Sequence, residues 1–369
     1  MSNKNSILPE TNTLAKPIET LEDMIARDKV FTASKNDIMA RIVDIEFHEN
    51  GGFVIEEPNN PFGAMLVEKM TDRALQQVCG RLSETASGGR KVPYSYIKQC
   101  PPYLQSANLE HWRGDVIAEL AKRENRRRSK NWFVRLYEGN ARAVLSERYA
   151  PIPNGDVLEV AQETMRSSSL EYTLIRPFVS ADAIHIKVRA ADTREDHEGG
   201  NYGIGFYVSN DEIGGGSLVC TPFLQRHSCT NSIIMQKSDF ALKMRHAYYS
   251  KGEMRLALKG AMARSLKLSV AMIDDLAAAE EKHIPDFGDI VTRLAKKHGL
   301  KTEIKDNVLV GSEGMTNQAG IIHGLSYAAH ATPDISQDAR IDLEKMAGAV
   351  LATPDAFFRR AANGVVSVR

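Results

Sequence analysis

At Asn131 the hydrophobic period of the chain changes from about 3.6 residues to about 2, and this change constrains the fold class more than any other feature. Upstream, Trp112, Val116, Ile117 and Leu120 recur at helical spacing. From Asn131 onward Trp132, Val134 and Leu136 alternate with Phe133, Arg135 and Tyr137, which describes a strand with two distinct faces. Gly139-Asn140 offers a turn and Ala141 to Tyr149 returns as a partner, so a β-hairpin is expected. Pro153-Asn154 introduces a helix through Val157, Leu158, Val160 and Ala161. Strands are then expected over 170–178, 182–190, 202–209, 217–224 and 228–235, separated by polar or glycine-rich stretches such as Asp192 to Asn201 and Asp211 to Gly216. The pattern predicts an α+β protein: a mainly antiparallel sheet of about seven strands, flanking helices and a helical C-terminal section.

Four segments follow from the rest of the chain. Residues 1–18 are polar, carry Pro9 and Pro17, and read as a flexible arm; 19–110 read as a small N-terminal mixed unit, 111–235 as the central α+β sheet domain, and 236–369 as the helical C-terminal section. In the N-terminal unit Leu21, Met24 and Ile25 share a helical face. Met70 to Arg81 is helical with an apolar stripe of Ala74, Leu75, Val78 and Leu82, and Asn108 is placed to cap the next helix. Beyond Phe240 the spacing predicts a basic helix, an apolar one over Leu266 to Ala279, another over Phe287 to His298, a linker containing Gly311 and Gly314, and helices over 316–330 and 336–352. With 369 residues and 43% hydrophobic content, the chain can bury a sizeable core. It shows neither a secretory leader nor a membrane-length apolar run, so the expectation is a cytoplasmic protein with no membrane partner. Cys79, Cys100, Cys220 and Cys229 do not make a disulfide framework and fit a reducing compartment.

Charge is balanced overall, at 47 Lys+Arg against 47 Asp+Glu, but not locally. Residues 122–148 hold nine cations against three acids and residues 237–267 eight against two, so each segment is +6 while the remaining residues carry −12. Basic segments in an otherwise acidic chain resemble an electrostatic footprint for a polyanion. On strand 182–190, Ile184, Ile186 and Val188 form one face and His185, Lys187 and Arg189 the other; on the first hairpin strand Phe133, Arg135 and Tyr137 share a face. Aromatic rings and cations on one sheet can stack bases and neutralise phosphates together. Lys251, Arg255 and Lys259 align at i, i+4 and i+8, with Lys243, Arg245 and His246 ahead of them, as a helix tracking phosphates would arrange them. The expected nucleic-acid-binding residues are therefore Arg135, Tyr137, Arg142, Arg148, Lys187 and Arg189 on the sheet side, and Lys243, Arg245, Lys251 and Arg255 on the helical side. The alternative keeps Phe133 and Tyr137 as core beneath flanking helices and the basic stretches as solvated faces.

Other chemistry is weakly supported. Cys220, His227 and Cys229 could ligate zinc but match no finger or ribbon spacing, and the acids of 192–198 could hold a hard metal but equally make a charged hairpin loop. Gly203-x-Gly205 lacks the third glycine of a dinucleotide fingerprint, and Gly311 to Thr316 lacks the lysine of a phosphate loop. No catalytic residue, metal ligand or cofactor is assigned.

The helix MTDRALQQVCGRL (70–82) with VPYSYIKQCPPYL (92–104), ARAVLSERYAPIPNGDVLE (141–159) and GIGFYVSNDEIGGGSLVCTPFLQRHSCTN (203–231) resemble, in order, the phage/plasmid-like proteins grouped as domain of unknown function 932. MRHAY (244–248), GLSYAAHA (324–331) and DLEKMAGAVL (342–351) extend the resemblance to about residues 70–351. The insertion SETASGGRK (83–91) departs from it. So does the stretch after the Arg-His element of MRHAY, which lacks the usual small polar turn. The resemblance implies a mobile-element setting in a bacterial host cell and no specific activity. The combined expectation is a nucleic-acid-binding protein of a phage or plasmid, binding single-stranded DNA or annealing it in recombination or replication, with a homo-oligomer as one form. The alternatives are a metal-dependent enzyme acting on nucleic acid and an interaction protein that inhibits a host factor.

Overall fold

Local signals start the fold. The computed structural model describes residues 17–56, 64–85, 90–122, 131–168, 171–195, 201–226, 231–235, 241–247 and 250–354. Thr20 opens α1 (Leu21–Ala33) through a capping box: its hydroxyl accepts from the Asp23 amide while the Asp23 carboxylate accepts from the Thr20 amide. β1 (Lys35–Arg41) follows, then an antiparallel meander of β2 (Ile45–Phe47), β3 (Phe53–Glu56) and β4 (Ala64–Val67). α2 (Asp72–Thr85) buries the predicted stripe, Ala74, Leu75, Val78 and Leu82. After the short α3 (Tyr94–Ile97), α4 (Pro102–Lys122) starts earlier than expected. Proline suits a first turn because its missing N–H would have no partner there. Asn108 therefore lies inside α4 and caps nothing; its Nδ2 donates to the Leu104 carbonyl at 2.7 Å.

The hairpin forms from β5 (Asn131–Tyr137) and β6 (Asn140–Ser146), turning on Glu138 (φ 49°) and Gly139 (φ 77°), the two positive angles that suit a primed two-residue turn. It does not join the central sheet. β1 lies antiparallel to β5, from Lys35 opposite Tyr137 to Arg41 opposite Asn131, giving a separate sheet in the order β1-β5-β6. The apolar face of the hairpin, Trp132, Val134 and Leu136, needs a core, and Ile45, Phe53, Val78 and Leu109 supply it. The expected boundary at 110/111 therefore runs through one packed unit, because the pairing partner of β5 lies about ninety residues upstream.

α5 (Asn154–Ser167) leads into β7 (Tyr172–Leu174), β8 (Phe178–Val179), β9 (Ala183–Glu195), β10 (Asn201–Asp211), β11 (Leu218–Arg226), β12 (Ser232–Ile234) and β13 (Leu242–Met244). These seven strands form one antiparallel sheet in the order β12-β11-β10-β9-β7, with β13 also on β11 and β8 also on β9. Its size and type are those expected, but its membership differs: β13 replaces the hairpin, and the strand expected over 170–178 is broken at Arg176 (φ 48°) and Pro177. α6 (Lys251–Glu280) is one continuous helix where two were expected, with Met254, Leu258, Ala261 and Met262 packed against Ile184, Ile186, Val188, Phe206 and Val208. α7 (Phe287–Lys297), α8 (Thr302–Gly311), α9 (Gln318–Ala331) and α10 (Gln337–Leu351) complete the chain; α8 occupies the expected linker, with Ile304 and Val308 buried one turn apart.

α10 covers the opposite face of the sheet. Ile341 packs with Tyr207, Phe223 and Ile234, and Gly348 lies so close to β12 that a Cβ there would fall 2.0 Å from the Ile234 carbonyl oxygen. The sheet is thus buried on both faces, with α5 and α6 on one and α10 on the other. Among the described residues no helix is long and apolar enough to cross a membrane.

Candidate nucleic-acid interface

The double burial of the sheet changes the meaning of its cations. Lys187, expected to meet a nucleic-acid strand, is 2% exposed and donates to Glu344 Oε1 of α10 at 2.6 Å. Burial alone would raise the Glu344 carboxyl, but Lys187 and His330 hold it below its ordinary value; burial in turn lowers the Lys187 ammonium, with Glu344 opposing that shift. His185 is buried beside it, bonded to the Tyr207 hydroxyl at 2.7 Å and to Asp338 at 3.3 Å. Arg189 is half-buried and donates to Gln225 at 3.1 Å.

Arg135 and Arg142 are buried as well. Arg135 forks onto both oxygens of Asp37, each at 2.9 Å, and donates to the Glu212 carbonyl at 2.5 Å. Arg142 donates to Glu212 Oε2 at 2.9 Å and to Asp182 at 3.2 Å. Glu212, in the β10–β11 turn, also accepts from Lys35 at 3.0 Å and from the Asn154 amide that opens α5 at 2.7 Å. Burial would raise its carboxyl; Lys35, Arg135, the Asn154 amide and Arg142 overcome that and lower it. These arginines tie the N-terminal sheet to the central one and have no free face for phosphate. Tyr137 packs edge-on against Phe31 of α1 with ring centroids 6.1 Å apart.

On the helical side Lys251 and Arg255 are exposed but already paired. Lys251 meets Asp156 at 2.6 Å, Arg255 Nε meets Glu163 at 2.9 Å and Lys259 meets the same carboxylate at 2.6 Å, so α6 is zipped to the acidic edge of α5. α6 lies on the Ile186 face and Lys187 points to the opposite one, so the two sets of cations do not line one groove.

Three expected residues stay exposed on two segments that hydrogen bonds join. Arg148 sits in the exposed turn after β6, and Lys243 and Arg245 are exposed on and beside β13. Ala150 N–H donates to the His246 carbonyl at 3.0 Å and Ile152 N–H to His246 Nδ1 at 3.1 Å, which seats the Arg148 turn against the Lys243–Arg245 segment. Beside them stands a column of rings: Phe133 and Tyr149 with centroids 6.2 Å apart, and Tyr149 and His246 at 5.0 Å with planes within 9°. Burial, with Arg135 nearby, lowers His246 to about 4, so the imidazole is neutral. Because Nδ1 accepts, Nε2 carries the proton, and it has no partner among the described residues.

Glu212, Tyr149 and the α5 acids were not anticipated from the sequence. The acids had a readable signal: Asp156, Glu159 and Glu163 repeat at helical spacing, complementary to Lys251, Arg255 and Lys259. Glu212 had none, since its partners lie on three separate strands and a helix end. Cys220 is fully buried, its thiol pushed up to about 12 by burial, while His227, Cys229, residues 196–198 and the 123–130 part of the basic run lie outside the described residues. No group of three or more metal-ligating side chains occurs among the described residues. Comparison with family models, curated proteins and solved structures finds no match to this chain.

Proposed function

We propose that the protein binds nucleic acid, single strands in preference to duplex, at the junction of the Arg148 turn with the Lys243–His246 segment. The observation that carries the reading is the Ala150 to His246 hydrogen bond, which joins the two segments that carry three exposed cations next to the stacked Tyr149 and His246 rings. Cations at such a junction hold the phosphates, while the stacked Phe133, Tyr149 and His246 rings fix the two segments that carry them. A role in recombination or replication of a phage or plasmid, including strand annealing by an oligomer, is the setting implied by the family resemblance.

The test is binding of labelled single-stranded and duplex DNA and RNA across a salt series. Replacing Arg148, Lys243 and Arg245 by alanine together should flatten the salt dependence for single strands by about 2, since each phosphate contact contributes about 0.7 to the slope. Arg255→Ala serves as the control and should leave the slope unchanged. A triple variant with the parental slope overturns the proposal.

A further inference from the structure

A second candidate site lies far along the chain, in the C-terminal helices. A cavity of about 920 Å³ opens between α7, α8, α9 and α10, within the size range of small-molecule sites, roughly 300–1,000 Å³. Its floor is aliphatic: Ile290, Ile304, Ile321, Leu343 and Val350 are buried, and Leu294 and Met346 pack beside them. Phe, Tyr and Trp are absent from its lining, and the one ring there, the His298 imidazole, belongs to the turn between α7 and α8 rather than to the floor. Its shape and chemistry suit a flexible alkyl chain, whose contacts are non-directional.

The rim supplies a polar end. Lys297 and Lys301 flank the turn between α7 and α8, and α8 begins beside them with no side-chain cap on its first amides, which leaves a partial positive charge facing acceptors. Lys345 also lines the cavity from α10, its ammonium lying 5.8 Å from the centroid of the Tyr207 ring. Asp334 and Asp342 lie on the wall formed by α10 and its preceding loop, and His298 is held neutral by burial and by Lys297, so three lysines against two aspartates leave one positive charge. An aliphatic floor with a net cationic rim matches an amphiphile carrying one negative head group. We propose that this cavity binds a fatty-acyl carboxylate, with its chain on the aliphatic floor and its head group at Lys297 and Lys301.

Calorimetric titration of the purified full chain with laurate, dodecanol and dodecyltrimethylammonium, each below its aggregation limit, tests the assignment. Laurate should bind saturably at one per chain and about tenfold or more tighter than either of the others, as an added charge-assisted contact implies. Ala349→Trp, which places a ring in the cavity from an exposed position, should abolish that binding, and Lys297→Gln with Lys301→Gln should erase the preference for the acid. Absence of saturable laurate binding, equal affinity for all three amphiphiles, or binding that survives Ala349→Trp in a folded variant would overturn the proposal.

Discussion

The Lys187 and Glu344 pair offers the most discriminating test of the buried-charge reading, because single and double substitutions are expected to differ in sign. Lys187 is 2% exposed and Glu344 0%, with nitrogen and oxygen 2.6 Å apart, which places the pair in the fully desolvated regime. Removing one partner there leaves an uncompensated charge and costs about 3–5 kcal/mol, whereas replacing both by apolar side chains of similar volume is neutral or stabilising by about 1–4 kcal/mol. The two single variants should also differ. Glu344→Leu strands Lys187 among the fields of Arg176 and Arg340, while Lys187→Met leaves Glu344 with His330 Nε2 at 3.3 Å, where proton uptake by the imidazole compensates part of the loss. The expected order of stability is the double variant Lys187→Met/Glu344→Leu at or above the parent, then Lys187→Met, then Glu344→Leu. Urea melts followed by far-UV circular dichroism measure it, with fluorescence of Trp112 and Trp132, both in the N-terminal unit, showing whether that unit unfolds separately. The double variant should also keep parental nucleic-acid affinity, since Lys187 has no solvent-facing atom to lose. Single variants within about 1 kcal/mol of the parent, as exposed pairs behave, or a double variant as weak as Glu344→Leu, would refute the reasoning.

Two further outcomes follow from the same geometry. His246 is lowered from 6.5 to about 4, so the unfolded chain takes up a proton there that the folded chain refuses; its contribution is complete above pH 6.5 and is lost as pH falls toward 4. His246→Asn, whose Oδ1 can replace Nδ1 as acceptor from Ile152, should make urea midpoints less sensitive to pH across that window, and an unchanged pH slope would show that His246 does not contribute. Glycine to alanine should act in opposite directions at two helical positions: Gly348→Ala drives a Cβ to 2.0 Å from the Ile234 carbonyl and should cost about 1–3 kcal/mol, while Gly252→Ala meets nothing within 4 Å and should add about 0.5–1 kcal/mol. Equal melting shifts for the two would refute the packing argument.

Much of the fold was readable because its signals are local. The stripe of α2, the helix after Pro153 and the alternation in β9, β10 and β11 all depend on spacing within about ten residues, and the structure places them there. What could not be read was partnership across distance. The alternation in β5 announces a strand with an apolar face, but nothing near it says that Lys35 to Arg41 is the neighbouring strand. The same blindness affected the site. A run of cations looks like a free electrostatic surface only while its partners are out of view, and here Glu212, Glu344 and Glu163 of α5 lie 70, 157 and 96 residues from Arg142, Lys187 and Lys259. Desolvation then selects among the cations: those taken into the interior must find carboxylates, because a lone buried charge is prohibitive, and that requirement removes them from any role in binding. Arg148, Lys243 and Arg245 remain because they sit where turns and an edge strand keep them in water. The useful residual of a local charge excess is therefore the part that folding leaves exposed, which at this junction is three cations with no ion pair among the described residues, on segments next to the Tyr149 and His246 rings.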